Sequence, residues 1–330
     1  MSEFMTAFKE FTYLFPFDAG FNEFCQQLKS GRLSHAYILE CADKILYKDL
    51  LLSCAVEIMG DADASDANLV FARTHPDVEF FPAEDKKRIS VDDIKRITSS
   101  AYVKPSRADK KVFCLSAGGV GMEVWQNKLL KLLEEPPPNV FFLIAVPDAE
   151  ELLATVRSRC QVIKTGRIDK TAIADFLNKK RNVPKEKAFL SANLADGSVE
   201  KAIKIASSEE YATCVRDVLN LFCNMTNTRN MIHVLPIVAK YKDDYEDFLE
   251  IIEKVLFEVL LTLTNASQSL NLFEKTAIMK IAGLYTPDAL MRSVVLVEQA
   301  KKQLDSNANY TMVMDGLLLK ILEVRYLCRQ

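Results

Sequence analysis

Short apolar runs alternate with helix-period stretches over the first half of the chain, and the helix period alone continues through the second. The runs "HAYILEC", "DVEFFPA", "KVFCLSA", "VFFLIAV" and "CQVIKT" are nearly unbroken in apolar character and rich in β-branched and aromatic residues. Strands buried on both faces read this way, as in a parallel sheet with helices on either side. Between them, "SVDDIKRITSSAY" predicts a helix with Ser90 as N-cap and Asp93 in its first turn. "EVWQNKLLKLLEE" predicts another, with Trp125, Leu129, Leu132 and Leu133 on one face and Pro136, Pro137 and Pro138 to stop it. The alternation predicts an α/β domain over residues 1–168.

Beyond Gly166 the strand signal disappears. Residues 169–207 read as two or three short helices with turns at Asn182-Val183-Pro184 and Asp196-Gly197-Ser198, too small a piece to be stable far from its neighbours. From residue 208 to 330 the pattern is helical throughout. In "YEDFLEIIEKVLFEVLLTL", Phe248, Ile251, Ile252, Val255 and Val259 recur every three to four residues, and Leu256, Leu260 and Leu263 widen the stripe. A stripe that wide predicts burial against more than one partner.

Composition narrows the function classes. The 330 residues are 49% hydrophobic, enough for a core in each of two or three domains. A net charge of -3, from 42 basic and 45 acidic residues, argues against a surface devoted wholly to nucleic acid or membrane, so any basic patch must be local. No apolar run approaches the ~20 residues of a membrane span, and the start lacks a basic segment ahead of an apolar core. A reducing cytoplasm is the expected compartment. The eight cysteines are scattered without a C-x-x-C pair, which predicts buried, reduced thiols in place of a disulfide framework or a zinc site.

The order of the motifs is more specific than any one of them. "LKSGRLSHAYILE", "HPDVEFF" with "ISVDDIKRI", "KPSRADKKVFCL", "NKLLKLLEEPPPNVFFLIAV", "ELLATVRSRCQVI", "LADGSVEKAI" and "AKKQLDSNANYTMVMDGLLLKIL" follow one another along nearly the whole chain. In this order they resemble the clamp-loader branch of the AAA+ family, most closely the delta-prime subunits of bacterial DNA polymerase III. The resemblance implies an AAA+ domain with a five-stranded parallel sheet, a small helical lid over 169–207 and an all-helical collar over 208–330.

Several positions depart from nucleotide-binding members of that family. Their first strand runs into G-x-x-x-x-G-K-T, a loop whose bare N–H groups close around phosphates. Here the aligned residues are Glu40, Cys41, Ala42, Asp43, Lys44, Ile45, Leu46 and Tyr47, without a glycine and with leucine at the lysine position. Glu40 and Asp43 would repel phosphate. Hydrolysing members end the third strand with Asp-Glu, for the metal ion and for water; this chain has Ser116 and Ala117. Val146 or Pro147 replaces a threonine or asparagine after the fourth strand, and Glu200 stands near a lid arginine found in some members. No cofactor or metal is expected on this chain. Many delta-prime relatives also carry a four-cysteine zinc module ahead of "HPDV", where this chain has Cys54 alone.

The "SRC" element, Ser158-Arg159-Cys160, implies a role in trans: in a ring of AAA+ modules it aims a guanidinium at the ATP and Mg²⁺ of an adjoining subunit. A salt bridge tying the fifth strand to a nearby helix is the other reading of Arg159, and Arg157 is the nearby alternative cation. Lys104, Arg107 and Lys110, with Lys111, form a small basic cluster that either meets the phosphates of primed DNA or is a solvated loop. His35 is expected to pack or hydrogen-bond, and His75 to sit in a turn. The implied partners are gamma/tau and delta subunits, the sliding clamp within the complex and DNA indirectly, with no membrane. An active ATPase paralogue of gamma/tau type, a free-standing DNA-binding protein and an adaptor without a finger remain open as other readings.

Overall fold

Each of the five apolar runs forms a strand: β1 (Ala36–Glu40), β2 (Val78–Phe81), β3 (Lys111–Ser116), β4 (Val140–Val146) and β5 (Gln161–Lys164). They build one parallel sheet in the order β2-β3-β4-β1-β5. The structure is a computed structural model and describes residues 10–31, 33–60, 64–82, 88–117, 123–264 and 273–328. Its contacts divide the chain into two units, Met1–Ala206 and Ser207–Gln330.

In the first unit the helices are α1 (Ala19–Lys29), α2 (Tyr47–Met59), α3 (Ala64–Phe71), α4 (Val91–Ala101), α5 (Glu123–Glu134) and the single turn α6 (Ala154–Arg157). Parallel crossovers place these helices on the faces of the sheet. One face buries Ile38, Phe113, Leu115, Phe142 and Ile144 against Ile94 and Ile97 of α4 and Trp125, Leu129, Leu132 and Leu133 of α5. Each such side chain contributes roughly 1.5–3 kcal/mol by leaving water. α2 packs on β3 and β4 and α1 on β5, with Phe24 of α1 edge-on to Tyr37 of β1 at 5.0 Å. Ser90 and Asp93 form a full capping box at the start of α4, each side chain bonded to the other's backbone N–H.

The predicted lid comprises α7 (Lys170–Arg181), α8 (Lys185–Leu194) and α9 (Val199–Ser207). Asn182 closes α7 in the left-handed conformation, at the predicted turn. Through Ala206 these helices lie in the same unit as the sheet.

The second unit contains α10 (Glu209–Asn224), α11 (Thr228–Lys240), α12 (Tyr245–Leu263), α13 (Lys275–Ala282), α14 (Pro287–Asp305) and α15 (Tyr310–Leu327). The stripe of α12 is buried from Phe248 to Val259 and packs against α10, α13 and α14, which accounts for its width. Leu260 and Leu263 are only half-buried, so the stripe narrows at its C-terminal end. α15 buries Arg325, 2% exposed, which donates to the carbonyl of Met225 at 2.7 Å and to that of Thr226 beyond the end of α10.

Candidate functional site

The carboxyl ends of parallel strands are where α/β sheets bind ligands, and at that edge the described residues include buried Asp43, Leu46, Tyr47 and Ala117. Register aligns Glu40 of β1 with Val146 of β4, and Ala145 with Ser116 of β3. Glu40 is held by Lys164 at 3.1 Å and by the Ala149 N–H at 3.4 Å. Ala117 is buried, and its N–H donates to Ala145 at 2.8 Å. Leu46 and Tyr47 are buried as well, and the Leu46 N–H is bonded to the Asp43 carbonyl at 3.0 Å. The apolar side chain of Leu46 and its bonded N–H offer nothing to a phosphate.

Asp43 has a role that its sequence neighbours do not suggest. Its carboxylate accepts from the Ser198 hydroxyl and the Val199 N–H, both at 2.6 Å, and from the Glu200 N–H at 3.2 Å. A carboxylate of the chain itself thus occupies the start of α9. Ser116 and Ala117 supply no carboxylate for a metal ion. Among the described residues no group of three or more His, Cys, Asp or Glu is placed to hold one.

Arg159 lies at the other edge. It precedes β5, which runs parallel to β1 with Gln161 opposite Tyr37, so it sits at the amino ends of the strands. The length of β1 separates the two edges, roughly 13 Å at the usual rise of a parallel strand. Its side chain is 33% exposed; Nη1 donates to the Thr155 carbonyl at 2.7 Å and to Ser158 Oγ at 3.2 Å, and Nη2 pairs with Glu134 at 2.7 Å. The helix-to-strand salt bridge is therefore present, with Glu134 at the end of α5 as the partner. The "LLEEPP" sequence places Glu134 at this edge, but sequence spacing does not select it from its neighbour Glu135. Arg157 pairs with Glu150. Cys160 packs against the sheet core and burial pushes its thiol up to about 12, which makes it a packing residue.

The basic cluster is largely committed to its own domain. Arg107 pairs with Asp66, Lys110 donates to the Ile58 carbonyl at 2.6 Å, and Lys111 is buried and donates to Ser100 and Val103. Lys104 is exposed. The loop is shaped by buried Asp77, which accepts the N–H groups of Ser106, Arg107 and Ala108 at 2.7–2.9 Å. Burial works against the Asp77 charge, but those N–H groups outweigh it and hold its carboxyl below the usual range. His35 bonds the Leu133 carbonyl at 2.9 Å. His75 does more than fill a turn: its ring is fully buried and its Nδ1 accepts from the Asp77 N–H at 3.1 Å.

The first unit is thus a five-stranded parallel sheet with helices on both faces, followed by three further helices. Residues 18–169 match the family "DNA polymerase III, delta subunit". The delta-prime subunit of Bacillus subtilis is 24% identical over 313 residues, 90% of this chain and 93% of its own. That of Haemophilus influenzae is 25% identical over 227 residues, 67% of this chain and 69% of its own. The gamma subunit of Buchnera aphidicola (Schizaphis graminum) is 29% identical over 168 residues; the match spans 49% of this chain and less than half, 44%, of that subunit. The chain is a homologue of the DNA polymerase III clamp-loader subunits.

Proposed function

We propose that this chain is a non-hydrolysing, delta-prime-like clamp-loader subunit that presents Arg159 to the ATP of an adjoining gamma/tau subunit. The observation that carries this reading is the separation of the two edges. The chain's own loop buries Asp43, Leu46 and Tyr47, while Arg159 stands partly exposed at the opposite edge, out of reach of that loop and open to an adjoining molecule. A planar, permanently charged guanidinium stabilises charge developing on a transferring phosphoryl group, typically by a factor of about 10³ to 10⁵. The Glu134 contact belongs to the competing salt-bridge reading, but it is compatible with a finger, because an ion pair this exposed is weak and could give way to a phosphate. Collar helices α10 to α15 would hold the chain among gamma/tau and delta subunits, and the assembly would place the sliding clamp on primed DNA.

The test is reconstitution with gamma/tau and delta chains. Arg159→Ala should leave assembly intact and abolish turnover at one seam, with Arg157→Ala as a near-neutral control. Unchanged turnover in the Arg159 variant rejects the finger. A second reading, an active ATPase of gamma/tau type, is favoured by the similarity to the gamma subunit. Binding of MgATP by the isolated chain would establish it.

A further inference from the structure

Asp43 follows β1, where a phosphate-binding loop would lie, and the residue is only 4% exposed. Both of its oxygens face the lid. One accepts from Ser198 Oγ at 2.6 Å, the other from the N–H groups of Val199 at 2.6 Å and Glu200 at 3.2 Å. Ser198 Oγ in turn accepts the Lys201 N–H at 3.1 Å. Three first-turn N–H groups of α9, which have no partner within the helix, are thereby satisfied at the positive end of its dipole.

The same hinge is fastened at two further points. The Ile168 N–H donates to the Gly197 carbonyl at 3.1 Å, and Gly197 has φ +90°, with a Cβ there falling 3.2 Å from the Ile168 carbonyl oxygen. Asp18, 1% exposed, accepts the Phe21 N–H at 2.8 Å and the Gly166 N–H, joining the start of α1 to the segment leaving β5.

We infer that Asp43 is a built-in anion that fastens the lid to the sheet domain, so that the lid is held closed with no bound nucleotide. A loop that binds phosphate leaves the lid helix to be met by a dissociable ligand. A carboxylate attached to the chain has no dissociation step, and its local concentration at α9 is fixed by the fold. The inference does not depend on whether Arg159 acts on a neighbour.

Hydrogen–deuterium exchange of the full chain tests it, with Asp43→Ala and Asp43→Asn compared with the unmodified protein. Loss of a helix-capping group corresponds to about a two- to thirtyfold change in an opening equilibrium. Exchange over residues 198–206 should accelerate by that factor in Asp43→Ala and by less in Asp43→Asn, which keeps one acceptor but loses the charge. Strands β3 and β4 should be unaffected. Equal rates over 198–206 in the Ala variant and the unmodified chain would overturn the inference, and so would an acceleration shared equally by β3 and β4. If the Ala variant fails to fold, the Asn variant decides alone, and no acceleration over 198–206 overturns it.

Discussion

A single side chain at either edge of the sheet carries the functional reading, and its surroundings set what a substitution should do. Arg159 is partly exposed and its ion pair with Glu134 is of a kind typically worth about 0–1 kcal/mol. Arg159→Ala should therefore cost no more than about 1 kcal/mol in denaturant unfolding; a loss of several kcal/mol would make the residue a structural strut. Asp49 behaves differently. It is buried, accepts the Phe11 N–H at 2.9 Å, and burial raises its carboxyl to about 6 from an ordinary 3.8. A folded-state value above the unfolded one contributes stability that is full below pH 3.8 and lost as pH rises through 6. Asp49→Asn, which keeps an acceptor for Phe11, should thus stabilise the protein at pH 8 by on the order of 3 kcal/mol relative to its effect at pH 3.5. Urea midpoints of both proteins across that range check the sign, and a difference independent of pH would contradict it.

Elements were legible where the signal was local. All five strands lie within the apolar runs that predict them, and the Ser90 cap closes with Asp93 three residues away. The wide stripe of α12 foretold several packing partners, although Leu260 and Leu263 contribute less than their spacing suggests. Contacts between distant segments were not legible. Asp43 and Ser198 are 155 residues apart, and no periodicity joins them; an acidic residue in this loop suggested repulsion of phosphate, but not what it binds in its place. Glu134 escaped for the same reason, since an acidic pair before prolines looks like an ordinary exposed helix end. Arg325 was hidden by its helix, whose apolar residues give no hint that a cation is buried among them. It closes the region after α10 through the Met225 and Thr226 carbonyls and lies over the rings of Tyr285 and Tyr326. Arg325→Met would fill most of the volume but leave the Met225 carbonyl without this donor, whereas the Thr226 carbonyl keeps the Tyr326 hydroxyl at 2.8 Å; an unsatisfied buried polar group costs about 1–3 kcal/mol. A loss of about 1–3 kcal/mol in unfolding of the second unit is expected; no measurable loss would mean that water replaces the guanidinium without penalty.

At the scale of the whole molecule the two functional readings make opposite thermodynamic statements. A ligand that binds only the folded state stabilises it by RT ln(1 + [L]/Kd), about 2.7 kcal/mol when present at one hundred times its dissociation constant. An ATPase of gamma/tau type with a micromolar site, placed in millimolar MgATP, would therefore gain several degrees in its melting midpoint. On the proposed reading, a chain whose loop holds Asp43 against α9 and buries Leu46 and Tyr47 is expected to show no such gain. Reopening the loop would mean breaking the three Asp43 bonds and moving two packed side chains before any phosphate contact forms. The expected result is a midpoint unchanged within about 1 °C between buffer and millimolar MgATP, a small fraction of the shift a saturated site would give. Differential scanning calorimetry of the isolated chain measures it directly. Thermal stabilisation that rises with nucleotide concentration and saturates would reject the filled-loop reading and leave the active ATPase in its place. The same scan in the presence of gamma/tau and delta chains separates the effects further, because stabilisation that requires those partners reports assembly, whereas stabilisation by nucleotide alone reports a site on this chain.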